Sequence, residues 1–340
     1  MQDEYGRNID YMRISLTDRC NLRCAYCMPD GAKLVPMAQV LRSEEILECA
    51  RAAASLGICH IKVTGGEPFV RRGADALVRM LKELPGIETV TLTTNGLLLE
   101  QHLEALKDAG IDGINISLDT TDPQRYALLS GIGKASGTTA ETGLTQEAQE
   151  AVRKVVRAVR LSAEQGIRTK INAVSLESTK PEELLPFAKE LPVDVRFIEM
   201  MPIGCGKKFA AVDNRILLGQ IRRAHPDLER DPGRHGFGPA VYYKIPGYKG
   251  SVGFISAVHG KFCSSCSRVR LTSMGYLKTC LCYEDGADLR AILRGDGTRE
   301  ERFEKMKETM AGAILKKRRE HCFDHPGEIT ESHLMASIGG

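Results

Sequence analysis

Six runs between the N-terminus and Ile198 carry apolar side chains in the pattern of strands: Ile9 to Leu16, Ile58 to Thr64, Thr89 to Thr94, Gly113 to Leu118, Arg168 to Val174 and Val193 to Ile198. Their length, alternation and β-branched content predict strands. A helical pattern follows each run except the last. After the first, Ser43 is expected to cap a helix with Glu44 and Glu45 in its first turn and Gly57 closing it. After the second, a helix is expected from about Gly73 to Leu84. Strand and helix in alternation predict an α/β fold with parallel strands. Six β/α units are too few for an eight-stranded closed barrel. The expected architecture is an incomplete, three-quarter parallel barrel of the TIM type, with function gathered at the C-terminal ends of its strands.

The pattern changes after Met201. A glycine-rich connection, PIGCGKK, leads to a helix near Asp213 to Ala224, and the Pro- and Gly-dense stretch from Pro226 to Gly250 reads as irregular. A short strand in GSVGFISAV and two charged helices, about Asp288 to Leu293 and Arg299 to Arg319, follow. The expected division is therefore residues 1–200 as the partial barrel and residues 201–340 as a smaller α+β domain. Within the barrel, Ser130 to Thr145 is rich in Gly, Ser and Thr without periodicity and reads as a mobile rim loop. The terminal Gly339-Gly340 would by default be disordered.

A chain of 340 residues is long enough for a sizeable core, and a net charge of +3 does not suggest a coat for nucleic acid. The polar N-terminus has no signal-peptide pattern and no apolar run approaches a membrane span, so a cytoplasmic protein without membrane contact is expected. Eleven cysteines in a reducing compartment argue for metal or redox chemistry over a disulfide framework. Cys49, Cys59, Cys205 and Cys322 stand apart and read as inert thiols.

The remaining cysteines carry the chemistry. Cys20, Cys24 and Cys27 fall within eight residues, just after the first strand. A structural zinc site asks for four ligands, whereas a 4Fe-4S cluster can be held by three thiolates with one iron left open. The C-x3-C-x2-C spacing, with Tyr26 before the last cysteine, resembles the radical S-adenosylmethionine (SAM) superfamily. Gly65-Gly66-Glu67-Pro68 after the second strand resembles that superfamily's glycine motif, where a missing Cβ lets backbone approach the methionine moiety. In such a pocket Tyr26 would lie beside the adenine, with Gly66, Ser117 and Met201 completing the SAM site. The second group, Cys263 and Cys266 with Cys280 and Cys282, would by itself suit a zinc ribbon. Arg268 and Arg270, on one face of an extended segment beside it, suit a charged ligand instead.

Basic residues are also expected near the top of the barrel: Arg13, Lys62, Lys170 and Arg196. Salt bridges to Glu67, Asp119 and Glu199 are the structural explanation; an anionic guest such as a triphosphate is the functional one.

Together the stretches RISLTDRCNLRCAYCMP, VTGGEP, LTTNG, NISLD, RFIEMMP and CSSCSRVRLTSMGYLKTC, with the terminal GG, resemble the GTP 3',8-cyclase family of molybdenum cofactor biosynthesis. The resemblance implies a radical SAM lyase that converts GTP to 3',8-cyclo-7,8-dihydro-GTP. It implies two 4Fe-4S clusters, on Cys20, Cys24 and Cys27 and on Cys263, Cys266 and Cys280, with SAM at the first and guanine at the second. Arg13, Lys62, Thr93, Lys170, Arg196, Arg268 and Arg270 would meet GTP. Gly339 and Gly340 would reach the catalytic centre beside Arg268 and Arg270. The partners expected are GTP, a flavodoxin- or ferredoxin-type reductant and, in a homodimer, a second copy of the chain.

Two readings compete: a radical SAM peptide maturase with an auxiliary cluster, and a zinc-stabilised binding module. Three departures from the family pattern stand out. His60-Ile-Lys62 replaces the usual Lys-x-Arg, Ser130 to Thr145 is longer than the usual connection, and Cys282 sits beside the expected ligand Cys280.

Overall fold

Outward-facing Met12, Ile14, Ile61, Val63, Leu92, Ile114 and Ile116 are fully buried, and the helices that cover them explain why the strands form where they do. In the computed structural model, residues 1–31, 35–133 and 141–339 are described, residues 141–145 by their backbone alone. Strands β1 (Tyr11–Ser15), β2 (His60–Thr64), β3 (Thr89–Thr94), β4 (Gly113–Ser117), β5 (Thr169–Ser175) and β6 (Val193–Glu199) pair side by side, all parallel. Helices α1 (Ser43–Ser55), α2 (Ala74–Lys82), α3 (Leu103–Asp108), α4 (Pro123–Ser130), α5 (Glu141–Glu164) and α6 (Pro181–Glu190) fill the crossovers. Each fully buried aliphatic side chain on this outer face contributes about 1.5–3 kcal/mol.

The sheet does not stop at β6. β9 (Val252–Ile255) adds parallel to β6, and β10 (Arg268–Leu271) adds parallel to β1 on the opposite side. Six strands were expected in parallel order; the C-terminal third supplies two more, so the sheet curls further than the first 200 residues alone would take it. β11 (Tyr276–Lys278) and β12 (Gly286–Asp288) extend one edge antiparallel, and β8 (Val241–Lys244) and β7 (Glu229–Asp231) extend the other. The 12-stranded order begins at β12 and ends at β7, so the barrel stays open. No helix is long and apolar enough to cross a membrane among the described residues.

Several local expectations change. Ser43 is the first residue of α1, with Arg42 at the cap, because the Glu45 carboxylate reaches back to accept from the Arg42 N–H at 2.7 Å. The stretch from Pro226 to Gly250, expected to be irregular, contains β7 and β8, whose pairing outweighs its Pro and Gly content. Ser130 ends α4 and residues 141–145 begin α5, so the expected rim loop is shorter than its composition suggests; residues 134–140 lie outside the described residues. Helices α7 (Asn214–Ala224), α8 (Leu289–Leu293) and α9 (Arg299–Leu315) match their patterns, except that α9 stops before Lys316.

Candidate active site

The loop after β1 brings Cys20, Cys24 and Cys27 onto the wall of a cavity of about 350 Å³ inside the barrel. The glycine motif seats this loop. A Cβ on Gly66 would stand 2.2 Å from the Arg19 carbonyl oxygen, and one on Gly65 would stand 2.7 Å from that of Thr17. Gly66 N–H donates to the Thr17 carbonyl at 2.7 Å and Glu67 N–H to the Arg19 carbonyl at 2.8 Å. The absent side chains therefore admit the backbone of the cysteine loop itself, a reason the sequence did not disclose. The buried Glu67 carboxylate accepts from Asn95 N–H at 2.7 Å and the Thr94 hydroxyl at 2.8 Å, with burial pushing its pKa up to about 7.

Burial raises all three thiols, Cys27 to about 12, and each also feels another of the set or a nearby acid. Three sulfurs on the wall of one cavity, in a place that disfavours thiolates, fit a donor set whose charge a bound metal cluster neutralises. Tyr26, Gly66, Ser117 and Met201 all line the same cavity. The Tyr26 hydroxyl donates to Asp119 at 2.7 Å, which fixes its ring on the wall.

Cys263, Cys266 and Cys280 line that cavity too, brought there by the turn before β10 and the loop after β11. At Cys266 burial opposes the thiolate, but Lys317 and Arg268 outweigh it and bring the pKa down to about 7. The group is anchored from the far N-terminus. Arg7 Nη1 donates to the Cys263 carbonyl at 3.0 Å and the Arg319 carbonyl at 2.8 Å, while its Nε meets Asp3 at 2.6 Å. No local pattern could have found this clamp, whose carbonyl partners lie 256 and 312 residues away.

Cys282 is not part of the triad. It points into a small apolar cluster, its sulfur 2.8 Å from that of Cys322, which is therefore not an isolated thiol. Replacing Cys280 with serine should cost the protein about half its bound iron, whereas Cys282→Ser should leave iron content unchanged, measured after anaerobic reconstitution. Equal losses would put Cys282 among the ligands.

The cations divide between two levels. Arg13, Arg268 and Arg270 line the upper cavity along with Thr93. Lys62, Lys170 and Arg196, expected near the top, line a second chamber of about 360 Å³ at the N-terminal end of the strands. The two levels meet in the strand register, where Arg270, Arg13 and Lys62 stand in one row across β10, β1 and β2. Neighbouring strands are about 4.8 Å apart, so this row concentrates positive charge. Arg13 Nε is buried without a hydrogen-bond partner among the described residues. Burial, then Arg196, Arg13 and Lys170, hold the Lys62 pKa well below its ordinary value.

The expected salt bridges are absent among the described residues. Asp119 accepts from Tyr26 and from Val174 N–H, and Glu199 accepts from Val258 and His259 N–H at 2.8 and 2.9 Å. Lys170 is the exception, pairing with Asp194 at 3.2 Å. Arg196 donates from Nε to Asn172 at 2.9 Å.

The C-terminal tail is packed into the site as far as Gly339. Its 3-10 turn (Met335–Ile338) places the Ala336 N–H against the Cys27 sulfur, and Gly339 takes a left-handed φ of 86° so that its carbonyl accepts from Arg270 Nη1 at 3.0 Å. Gly340 lies outside the described residues.

The sequence matches the radical SAM superfamily over residues 14–191 and the Molybdenum Cofactor Synthesis C family over residues 193–323. It is 38% identical to the GTP 3',8-cyclase of Clostridium perfringens (strain 13 / Type A) over the full length of both chains. The chain belongs to the GTP 3',8-cyclase family. A second family member, the GTP 3',8-cyclase of Pelotomaculum thermopropionicum, is 41% identical, covering 88% of this chain and 90% of that protein. Among solved structures, Streptococcus suis SuiB shares the fold with a TM-score of 0.61 at 17% identity, over 91% of this chain and 67% of that one. Membership in the cyclase family sets aside the peptide-maturase and zinc-module readings.

Proposed function

We infer that this protein is a radical SAM enzyme that converts GTP to 3',8-cyclo-7,8-dihydro-GTP, the first step of molybdenum cofactor biosynthesis. Family membership over the whole chain supports the reaction. The observation that carries the site is that both cysteine triads open onto one cavity and a cationic row runs beneath it.

Cys20, Cys24 and Cys27 would hold one 4Fe-4S cluster and Cys263, Cys266 and Cys280 the other. When bound, the first cluster with SAM would supply radical chemistry that removes hydrogen from the substrate, and the second would bind the guanine. The chain's own residues do the rest. Arg13, Arg268 and Arg270 would hold the sugar and first phosphate, and Lys62 and Arg196 the remaining phosphates, with Thr93 at the upper level and Lys170 adding its positive charge while its donors hold His235, Tyr242 and Asp194. The barrel wall keeps solvent from the reacting carbon and fixes its orientation, which is the protein's part in radical chemistry. Residues 1–200 and 201–340 act as two halves of this site, a division supported by the meeting of the two family matches between residues 191 and 193. Cluster reduction calls for a low-potential donor of the flavodoxin or ferredoxin type.

The test is anaerobic reconstitution followed by SAM cleavage under a chemical reductant. Iron and sulfide matching two 4Fe-4S clusters per chain and cleavage that requires GTP are expected. Zinc at the C-terminal thiols, or cleavage indifferent to GTP, would remove the assignment.

A further inference from the structure

The segment 232–240, between β7 and β8, lies across the base of the barrel and walls the lower chamber. It is held there from several sides. His235 puts Nδ1 2.9 Å from Asp194 and Nε2 3.0 Å from Asp231, and its ring stacks on Tyr242 at 4.0 Å. Lys170 Nζ donates to the His235 carbonyl and, at 2.9 Å, to the Tyr242 hydroxyl, besides its pair with Asp194. All three ammonium donors of Lys170 are thus committed to the protein.

The chamber's acids are committed as well. Asp112 meets Lys82 at 2.8 Å and Val90 N–H at 2.7 Å, and Asp231 accepts from the Ser251 hydroxyl at 2.7 Å. What stays uncommitted is positive charge, and one part of it comes from the segment itself. Arg234 is exposed, with its guanidinium 4.5 Å above the Phe237 ring, and Phe237 stacks at 3.4 Å on His60 of β2. No ion pair engages Arg234 among the described residues. A planar cation presented on an aromatic ring at the mouth of a cationic chamber is built to grip phosphate oxygens.

We propose that Arg234, carried by the His235- and Lys170-anchored segment and seated on the Phe237–His60 stack, binds the terminal phosphate of the nucleoside triphosphate and makes the enzyme prefer a triphosphate to a diphosphate. The proposal rests on the reading that GTP occupies the two chambers, triphosphate downward. Arg234 is a specificity-determining residue far from the reacting carbon. Its loss falls on KM more than on kcat.

The experiment is calorimetric titration of the reconstituted, unreduced protein with GTP and with GDP, without SAM, for the wild type, Arg234→Ala and Arg234→Lys. Losing one charge-assisted contact should weaken GTP about tenfold. GDP affinity should change less than about twofold, and Arg234→Lys should recover part of the GTP affinity. Equal weakening of both nucleotides, or no weakening of either, overturns the proposal while leaving the GTP site in place. Wild type that binds neither nucleotide overturns the underlying reading too. Unchanged iron content and GDP affinity in Arg234→Ala show that the variant is folded.

Discussion

Arg270→Ala is expected to reduce cyclisation by about 10²–10³-fold, the loss typical of removing a preorganised donor at a reacting centre. Three observations combine at this side chain. It is buried in the upper cavity, it stands in register with Arg13, and its Nη1 holds the Gly339 carbonyl. Removing it therefore deletes a cation and releases the tail that crosses from Cys27 to β1. The variant should keep both clusters, which its iron content reads, and its C-terminal segment should become open to carboxypeptidase. Lysine should not restore activity, because a single ammonium cannot both reach the carbonyl and present a planar fork to substrate. Product formation, iron content and tail digestion together decide the matter. A variant with more than a tenth of wild-type rate and a protected tail would show that Arg270 is a structural residue.

The barrel strands were legible because each pairs an apolar outer face with a short polar inner one, and period-two alternation survives even in five-residue strands such as β2. Both cysteine groups were legible because their members are near one another in sequence, and the structure brings Cys20, Cys24, Cys27, Cys263, Cys266 and Cys280 to one cavity. What escaped is non-local. β9 and β10 are four residues each, and only their pairing with β6 and β1 shows them to be continuations of the barrel. Arg7, Asn172 and Asp194 act through partners on other elements, so no spacing announces them. The height of a cation in the barrel was misjudged for the same reason: Lys62 and Arg196 lie mid-strand, and a strand's sequence does not say which end a neighbouring loop covers. Segment 232–240 reads as glycine-rich and irregular, yet His235 alone ties it to two carboxylates.

The row of cations also sets a cost that a second substitution should expose. Lys62→Met is expected to make the ligand-free protein more stable and a poorer binder of GTP. In the wild type the ammonium is drawn out of water between Arg13 and Arg196, and its charged form is disfavoured. A lysine whose folded pKa lies below its unfolded 10.5 binds fewer protons in the folded state through the interval between the two values. Stability from this group therefore rises with pH across that interval, and at neutral pH the folded protein carries the penalty. Methionine fills similar volume without the charge. Relief on the order of 2 kcal/mol is expected, or roughly 2–5 °C in Tm. The stabilisation should shrink as pH approaches 10.5, because the folded-state lysine is by then neutral and the unfolded-state lysine is losing its proton. GTP affinity should fall about tenfold in the same variant, through loss of a charge-assisted contact. Adding GTP should reverse the order of stability, raising the wild type above the variant, since the nucleotide stabilises only what it binds. Thermal unfolding with and without GTP, from pH 7 to pH 10, reads all of this. A destabilised Lys62→Met at neutral pH would mean the lysine is satisfied by the protein itself, and the cationic row would no longer imply a polyanionic guest.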